Sequence, residues 1–194
     1  LNVLLNLIEK VDSLVIGGAM ANTFLFAQGF EVGKSLHEPS LVSTVQDILS
    51  KADRINCNIM LPTDVVTSSR LEVGAKSEIY RVESVPQGKM ILDLGPESIT
   101  KIKKSLIDHN TVVWNGPLGA FEFTPFDAGT VDLAKEVAKL TVDGSLISVA
   151  GGGDTIAALN KAEALDIFTH VSTGGGAFLE WLEGKTLAGI KALS

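Results

Sequence analysis

The sequence is poor in cysteine, in basic residues and in long apolar runs, and each shortage excludes a class of protein. Cys57 is the single cysteine among 194 residues, so a disulfide framework within the chain is impossible. Lys and Arg number 16 against 23 Asp and Glu, and the formal charge of -7 argues against a surface that coats nucleic-acid phosphates. No run of about 18 apolar residues occurs, so we expect no membrane partner. A reducing compartment fits the cysteine usage, and we expect the cytoplasm.

The first residues suggest a piece of a longer polypeptide. The chain begins with Leu1 rather than Met, and Leu1, Leu4 and Ile8 belong to an apolar helical repeat without the basic front of a signal peptide. We therefore expect that a segment precedes Leu1. The composition, with 45% hydrophobic and 20% charged residues, is that of a chain that folds.

Short apolar runs alternate with helical periodicity along most of the chain. Six runs have the composition of strands: SLVIGG, NIMLP, ILDLG, TVVWNG, SLISVAGGG and FTHVSTGGG. Apolar residues at three- and four-residue spacing predict helices over 20–28, 41–53, 97–109, 130–140, 154–164 and 176–183. This alternation predicts an α/β fold, a three-layer Rossmann-like domain with a mostly parallel sheet and helices on both faces. Segment 63–90 lacks the helical period, and we predict extended strands and surface loops there.

Glycine clusters at strand ends are the strongest functional signal. Gly17-Gly18, Gly151-Gly152-Gly153 and Gly174-Gly175-Gly176 each follow a strand-like run and precede a helical pattern, and further turns occur at Gly95-Pro96 and Asn115-Gly116-Pro117. In a parallel sheet such turns lie along the carboxyl edge, where ligands bind. Glycine lets the backbone approach a ligand, and the N–H groups of a helix start attract an anion, so a phosphate ligand is predicted. For a single cluster, a tight turn without a ligand is the alternative.

Polar residues near these turns indicate what accompanies the phosphate. Asp154 can cap a helix or ligate Mg²⁺, and its spacing leaves both open, whereas the Thr155 hydroxyl can meet a phosphate oxygen. A carboxylate beside a phosphate repels it unless a cation intervenes, which favours a magnesium nucleotide. Glu122 follows the Asn-Gly-Pro turn and could accept hydrogen bonds from ribose hydroxyls, although an exposed loop glutamate is the commoner case.

Two common nucleotide fingerprints do not fit. The segment from Gly29 to Ser35 has three residues between its glycines where a P-loop needs four. In a dinucleotide fingerprint that starts at Gly151, the third glycine position holds Ile156, and one that starts at Gly174 has Leu179 there. An unrelated nicotinamide oxidoreductase is therefore disfavoured.

Seven segments make the sequence resemble a known family. They are GGAMANTFL, VGKSL, LPTDVV, LDLGPES, VVWNGPLGAFE, GGGDT and STGGGAFLEWLEGK. Their order over essentially all of 1–194 resembles the carboxyl-terminal half of phosphoglycerate kinase. The resemblance implies a two-domain, hinge-bending, monomeric enzyme of glycolysis. Its second domain binds Mg-ATP or Mg-ADP, and its first domain binds 3-phosphoglycerate.

The resemblance also implies roles for particular residues. The residues that would line the adenine pocket are Gly17, Gly18, Leu36 and Leu92. Those that would lie beside the ribose and phosphates are Asn115 and Glu122. The nucleotide-contacting set at the second cluster is Gly151, Gly152, Gly153, Asp154 and Thr155, with Asp154 also holding Mg²⁺. Gly174 and Gly175 would donate backbone N–H groups to the transferring phosphoryl group.

One departure bears on activity. The family carries a Gly-Gly-Ala-Lys-x-x-Asp-Lys segment whose lysines contact the phosphates, whereas Gly17-Gly18-Ala19 is followed by Met20 and Ala21. The resemblance implies that the whole enzyme transfers a phosphoryl group between 1,3-bisphosphoglycerate and ADP. We expect 1–194 to be its nucleotide-binding domain, inactive alone because the lysine segment and the acceptor domain lie outside it. A non-catalytic adenine-nucleotide-binding or interaction module is the alternative.

Overall fold

Strands and helices alternate along the chain in the computed structural model, which describes residues 2–172. The strands of this part are β1 (Ser13–Val15), β2 (Asn58–Met60), β3 (Asp64–Ser68), β4 (Glu78–Arg81), β5 (Met90–Leu94), β6 (Thr111–Asn115), β7 (Ile147–Gly151) and β8 (His170–Ser172). Its α-helices are α1 (Asn2–Leu7), α2 (Gly18–Ala27), α3 (Val42–Ile55), α4 (Pro96–Leu106), α5 (Ala128–Val142) and α6 (Gly153–Lys161). The predicted mixed α/β class is therefore confirmed.

The helices and the irregular segment follow the sequence pattern closely. Each helix predicted before residue 172 forms, with ends that differ by a few residues from the expected ones. Segment 63–90 contains β3, β4 and loops, as its lack of helical period indicated. The helix predicted over 176–183 lies outside the described residues. No helix within 2–172 combines the length and the apolar character that a membrane crossing needs.

The strands pair in three groups rather than in one mostly parallel sheet within the described part. β1 and β2 are parallel, and β6, β7 and β8 form a second parallel group with β7 in the middle. β3 lies between β4 and β5 and is antiparallel to both. The prediction that ILDLG, which forms β5, joins the parallel sheet is thus wrong. The chain from β3 to β5 passes through β4 without an α-helix, and a parallel pairing requires a long crossover.

Two apolar clusters hold the parallel strands in place. The larger cluster packs α4, α5 and α6 against β6 and β7 and includes Trp114 and Val137. The second cluster packs α1, α2 and α3 around Phe24 and Ile48, which are fully buried. Burial of side chains of this size contributes about 1.5–3 kcal/mol each, so these clusters set the positions of the strand ends.

The start of α4 is bound by a carboxylate from a distant strand. Asp64 of β3 accepts the Ser98 N–H at 2.7 Å and the Glu97 N–H at 3.0 Å, and the Ser98 hydroxyl donates to it at 2.6 Å. Gly95 is buried against this carboxylate, which a Cβ at that position would overlap. A glycine at position 95 is therefore required by packing against Asp64, and the expectation that its turn belongs to the ligand crevice stays a prediction.

The substitution Asp64→Asn should lower the free energy of unfolding by about 1–3 kcal/mol, because one helix-start N–H would lose its charged acceptor in a buried site. Urea unfolding of this chain measures the change. Asp47→Asn, at an exposed position of α3, is the matched control and should stay within about 0.5 kcal/mol of the wild type. Equal stability of all three proteins would contradict the assigned role of Asp64.

Candidate functional site

The carboxyl ends of β6 and β7 bring two predicted site segments together. Asn115 and Gly151 are register partners at the last position of this pairing. Gly152 follows with φ of 96°, a left-handed conformation that favours glycine, and forms the N-cap of α6. A Cβ on Gly152 would lie 3.1 Å from Asn115 Oδ1. The asparagine turn and the glycine turn are therefore adjacent, as the strand-end pattern predicts.

Thr155 stabilises the turn that follows β6 through a hydrogen bond. Its side chain is buried, and its Oγ1 accepts the Gly116 N–H at 2.6 Å. The Trp114 indole N–H donates to the Gly116 carbonyl at 2.7 Å, so the backbone N–H and the carbonyl of Gly116 are both hydrogen-bonded. The sequence pattern predicts that the Thr155 hydroxyl contacts a phosphate. In the structure, the oxygen of this hydroxyl accepts a hydrogen bond from Gly116 and so holds the turn that follows β6.

Asp154 lies in the first turn of α6 with an exposed side chain. Gly152 occupies the N-cap position, and Asp154 makes no hydrogen bond or ion pair within the described residues, so capping does not account for it. No group of three or more His, Cys, Asp or Glu within 2–172 could hold a metal alone. One free carboxylate fits Mg²⁺, which binds one or two carboxylates together with the phosphates of a substrate.

A cavity of about 270 Å³ lies between α2, β5 and the segment 118–120. Gly18, Leu36 and Leu92, three of the four residues predicted for an adenine pocket, line it. Gly17 lies beside the same wall, where a Cβ would be 2.9 Å from Leu118 Cα. The wall residues that sequence reasoning missed include Leu71, Met90, Leu118, Gly119 and Ala120. Leu118, Gly119 and Ala120 lie in the segment VVWNGPLGAFE, but their residue types indicate no chemistry, so only the fold shows that they form a cavity wall.

The segment 116–120 joins the cavity to the glycine turn. At one end Gly116 binds Thr155 of α6, as described above. At the other, the Gly18 N–H donates to the Leu118 carbonyl at 2.8 Å and the Ala120 N–H donates to the Leu92 carbonyl at 2.8 Å. Five residues of chain span at most about 18 Å, so the cavity and the glycine turn lie within the length of one small ligand of each other.

Glu122 follows this wall on an exposed loop. The loop is bound to the last turn of α6 by Lys161, whose ammonium donates to the Phe121 carbonyl at 2.8 Å and pairs with Asp127 at 2.8 Å. The carboxylate of Glu122 makes no ion pair within the described residues. Gly174 and Gly175, predicted to contact the transferring group, lie outside the part that the structure describes.

Asp93 is a site residue that the sequence did not single out. It is 1% exposed and lines the cavity from β5. Its carboxylate accepts the Leu94 N–H at 2.9 Å and the Gly129 N–H, in the first turn of α5, at 2.7 Å. Burial raises the pKa of Asp93 to about 7, against the effect of these two N–H donors, and the charge of Asp127 adds to the rise. The signal in the sequence was only a carboxylate inside an apolar strand.

The fold belongs to the class of α/β domains with glycine turns at the carboxyl ends of parallel strands, the place where such domains bind ligands. The family model described as phosphoglycerate kinase matches residues 1–185. The chain belongs to the phosphoglycerate kinase family, which is a family of kinases acting in glycolysis.

Relatives and solved structures agree with this assignment. The chain is 55% identical over 193 residues to phosphoglycerate kinase of Rhodopseudomonas palustris and 56% identical over 193 residues to that of Methylobacterium radiotolerans, covering 100% of this chain and 48% of each relative. Phosphoglycerate kinase from Coxiella burnetii has a TM-score of 0.94 at 44% identity, with 100% of this chain and 49% of that chain covered. The Pyrococcus horikoshii enzyme gives 0.80 at 30% identity, with 99% and 48% covered. The chain thus spans about half the length of the relatives it matches.

Stability should depend on pH through Asp93. Its pKa is about 7 in the folded chain against an ordinary value of 3.8, so the folded state holds the proton more tightly than the unfolded state. Stability should therefore fall as pH rises from about 4 to about 7, with a slope of up to about 1.4 kcal/mol per pH unit. Urea unfolding at several pH values measures the slope. Asp93→Asn should flatten it, and an unchanged slope in this variant would assign the effect to other groups.

Proposed function

We propose that this chain is the nucleotide-binding, carboxyl-terminal domain of a phosphoglycerate kinase and that it binds Mg-ADP and Mg-ATP. The observation that carries the proposal is that one short segment, 116–120, contacts both an apolar cavity and a glycine turn at a helix start. We assign the base of the nucleotide to the cavity and its phosphates to the glycine turn. The segment 116–120 connects the two in the order in which a nucleotide presents them.

The cavity suits the adenine ring. Its lining is apolar except for Asn22 and Asp93, and Leu36 at its rim is 76% exposed. An exposed leucine of this kind loses its contact with water when a planar base lies on it. Gly17 and Gly18 leave the backbone of the α2 start accessible beside the ring, and Leu92 supports it from β5. Asn115 and Glu122, next along the site, are assigned to the ribose and phosphates.

The start of α6 suits the phosphates. Gly151, Gly152 and Gly153 bring backbone close to the ligand, and the unpaired N–H groups of the first turn point at it. This local field is required because the whole chain carries a formal charge of -7. Asp154 would hold Mg²⁺, which neutralises charge on the phosphates when bound. Gly174 and Gly175 are proposed to donate N–H groups to the transferring phosphoryl group.

In the whole protein the phosphoryl group would pass between 1,3-bisphosphoglycerate and ADP. Such transfer depends on positioning and on charge stabilisation, and a cationic clamp on the transferring group can contribute about 10³–10⁵ in rate. We assign the acceptor, 3-phosphoglycerate, to the half of the protein that this chain does not cover. The proposal places the activity in the cytoplasm, in a monomer without nucleic-acid or membrane partners, and expects no turnover by residues 1–194 alone.

Calorimetry of this chain with ADP tests the nucleotide site. Binding is expected in the presence of Mg²⁺, and Asp154→Asn should weaken it roughly ten- to hundredfold, because the cation would lose a charged ligand. In EDTA the difference should vanish or reverse, since the carboxylate then only repels the phosphates. Asp143→Asn, exposed at the end of α5, is the control and should behave as wild type. Absence of ADP binding by the wild type would overturn the proposal.

An assay of the full gene product tests the catalytic part. The product should convert 3-phosphoglycerate and Mg-ATP to an acyl phosphate, detected by a coupled enzyme, whereas residues 1–194 should give no turnover. Nucleotide binding without turnover in the full product would support the non-catalytic module instead.

A further inference from the structure

Asp93 lies where three parts of the proposed base pocket meet. It follows Leu92 in β5, and both residues line the cavity. One carboxylate oxygen, Oδ2, accepts the Gly129 N–H at 2.7 Å and so binds the start of α5. The other, Oδ1, accepts the Leu94 N–H at 2.9 Å and faces Gly119 of the cavity wall. A single buried group thus contacts β5, α5 and the wall segment.

The wall segment packs on this carboxylate without spare room. A Cβ on Gly119 would overlap Asp93 Oδ1 and would come within 2.6 Å of the Leu92 carbonyl oxygen. Ala120, one residue on, donates its N–H to that same carbonyl at 2.8 Å. Any shift or expansion of the Asp93 side chain must therefore move the segment that forms one side of the cavity.

We propose that Asp93 is a positioning residue for nucleotide binding, because its ionised carboxylate holds the segment 118–120 and the start of α5 against β5 and so maintains the shape of the base pocket. The inference rests on the proposed nucleotide function. Asp93 acts through the wall and needs no contact with the nucleotide phosphates. Its charge state then controls affinity: a neutral carboxyl group is a weaker acceptor for the Gly129 N–H than a carboxylate.

Within the described residues, the charged group that acts on Asp93 is Asp127. It raises the pKa of Asp93 and is itself paired with Lys161 at 2.8 Å. Helix α2, packed on β5, carries no ionisable residue. Asp64 of β3 is bound to the start of α4, and Asp132 of α5 is paired with Lys103 at 2.6 Å. With a pKa of about 7, Asp93 changes charge between pH 6 and pH 8.

The test is the affinity for Mg-ADP at pH 6, 7 and 8, measured by calorimetry on the wild type, Asp93→Asn and Asp64→Asn. The terminal phosphate of ADP titrates in the same range, so the variants are compared at each pH with the same nucleotide. Asp64→Asn is the matched control because it also alters a buried carboxylate that binds a helix start, but one that does not itself line the cavity. Adenosine, which has no phosphate, serves as a second probe.

The affinity of the wild type relative to Asp93→Asn should rise by up to about tenfold from pH 6 to pH 8, which is the change in the ionised fraction of a group with pKa near 7. Asp64→Asn should follow the wild-type profile, so that loss of stability alone cannot mimic the effect. Parallel profiles for the wild type and Asp93→Asn would overturn the proposal while the nucleotide function stands. No binding by any protein at any pH would overturn the nucleotide function itself.

Asp127→Asn provides a second route if Asp93→Asn fails to fold. Removal of the neighbouring negative charge, which takes away the ion-pair partner of Lys161, should lower the pKa of Asp93 and shift the midpoint of the affinity profile to lower pH. An unmoved midpoint would overturn the assignment of the profile to Asp93.

Discussion

The binding of helix-start N–H groups by buried carboxylates is the interaction on which this structure depends. The first N–H groups of a helix lack partners within it, and a buried donor left without an acceptor costs about 1–3 kcal/mol. Asp64 and Asp93 supply acceptors from strands β3 and β5 to helices α4 and α5. Each bond joins residues more than thirty positions apart, so it fixes tertiary geometry as well as a helix end.

These two carboxylates serve the molecule differently. Asp64 is surrounded by donors from Glu97 and Ser98 and acts within the fold. Asp93 has fewer donors, is more deeply buried and lines the candidate site. The ionised form of Asp93 lowers the free energy of unfolding, because the charge is buried. Groups at functional sites commonly have pKa values perturbed in this way. The same burial that raises its pKa also makes it a rigid support for the cavity wall.

The regular elements were predictable because their causes are local. Helices α3 to α6 follow from apolar periodicity, whereas α2 is apolar on most of its surface, and glycines at strand ends mark where the chain turns. Strand β5 shows the limit of this reasoning. Its apolar run identifies a strand but contains nothing about its direction, which is decided by the partner β3 and by the absence of a crossover helix between them. The packing of Gly95 against Asp64, a residue of that partner strand, was likewise not readable from the local sequence.

Residue types and short spacings were enough to identify the α/β class, the family and the places of the glycine turns. The tertiary structure alone decided that Leu118 and Ala120 form a cavity wall and that Thr155 binds Gly116. It alone decided, too, that Asp93 is a buried acid with a pKa of about 7. Cavity shape, burial and hydrogen-bond partners are properties of segments far apart in the chain, and they exist only once packing has brought those segments together.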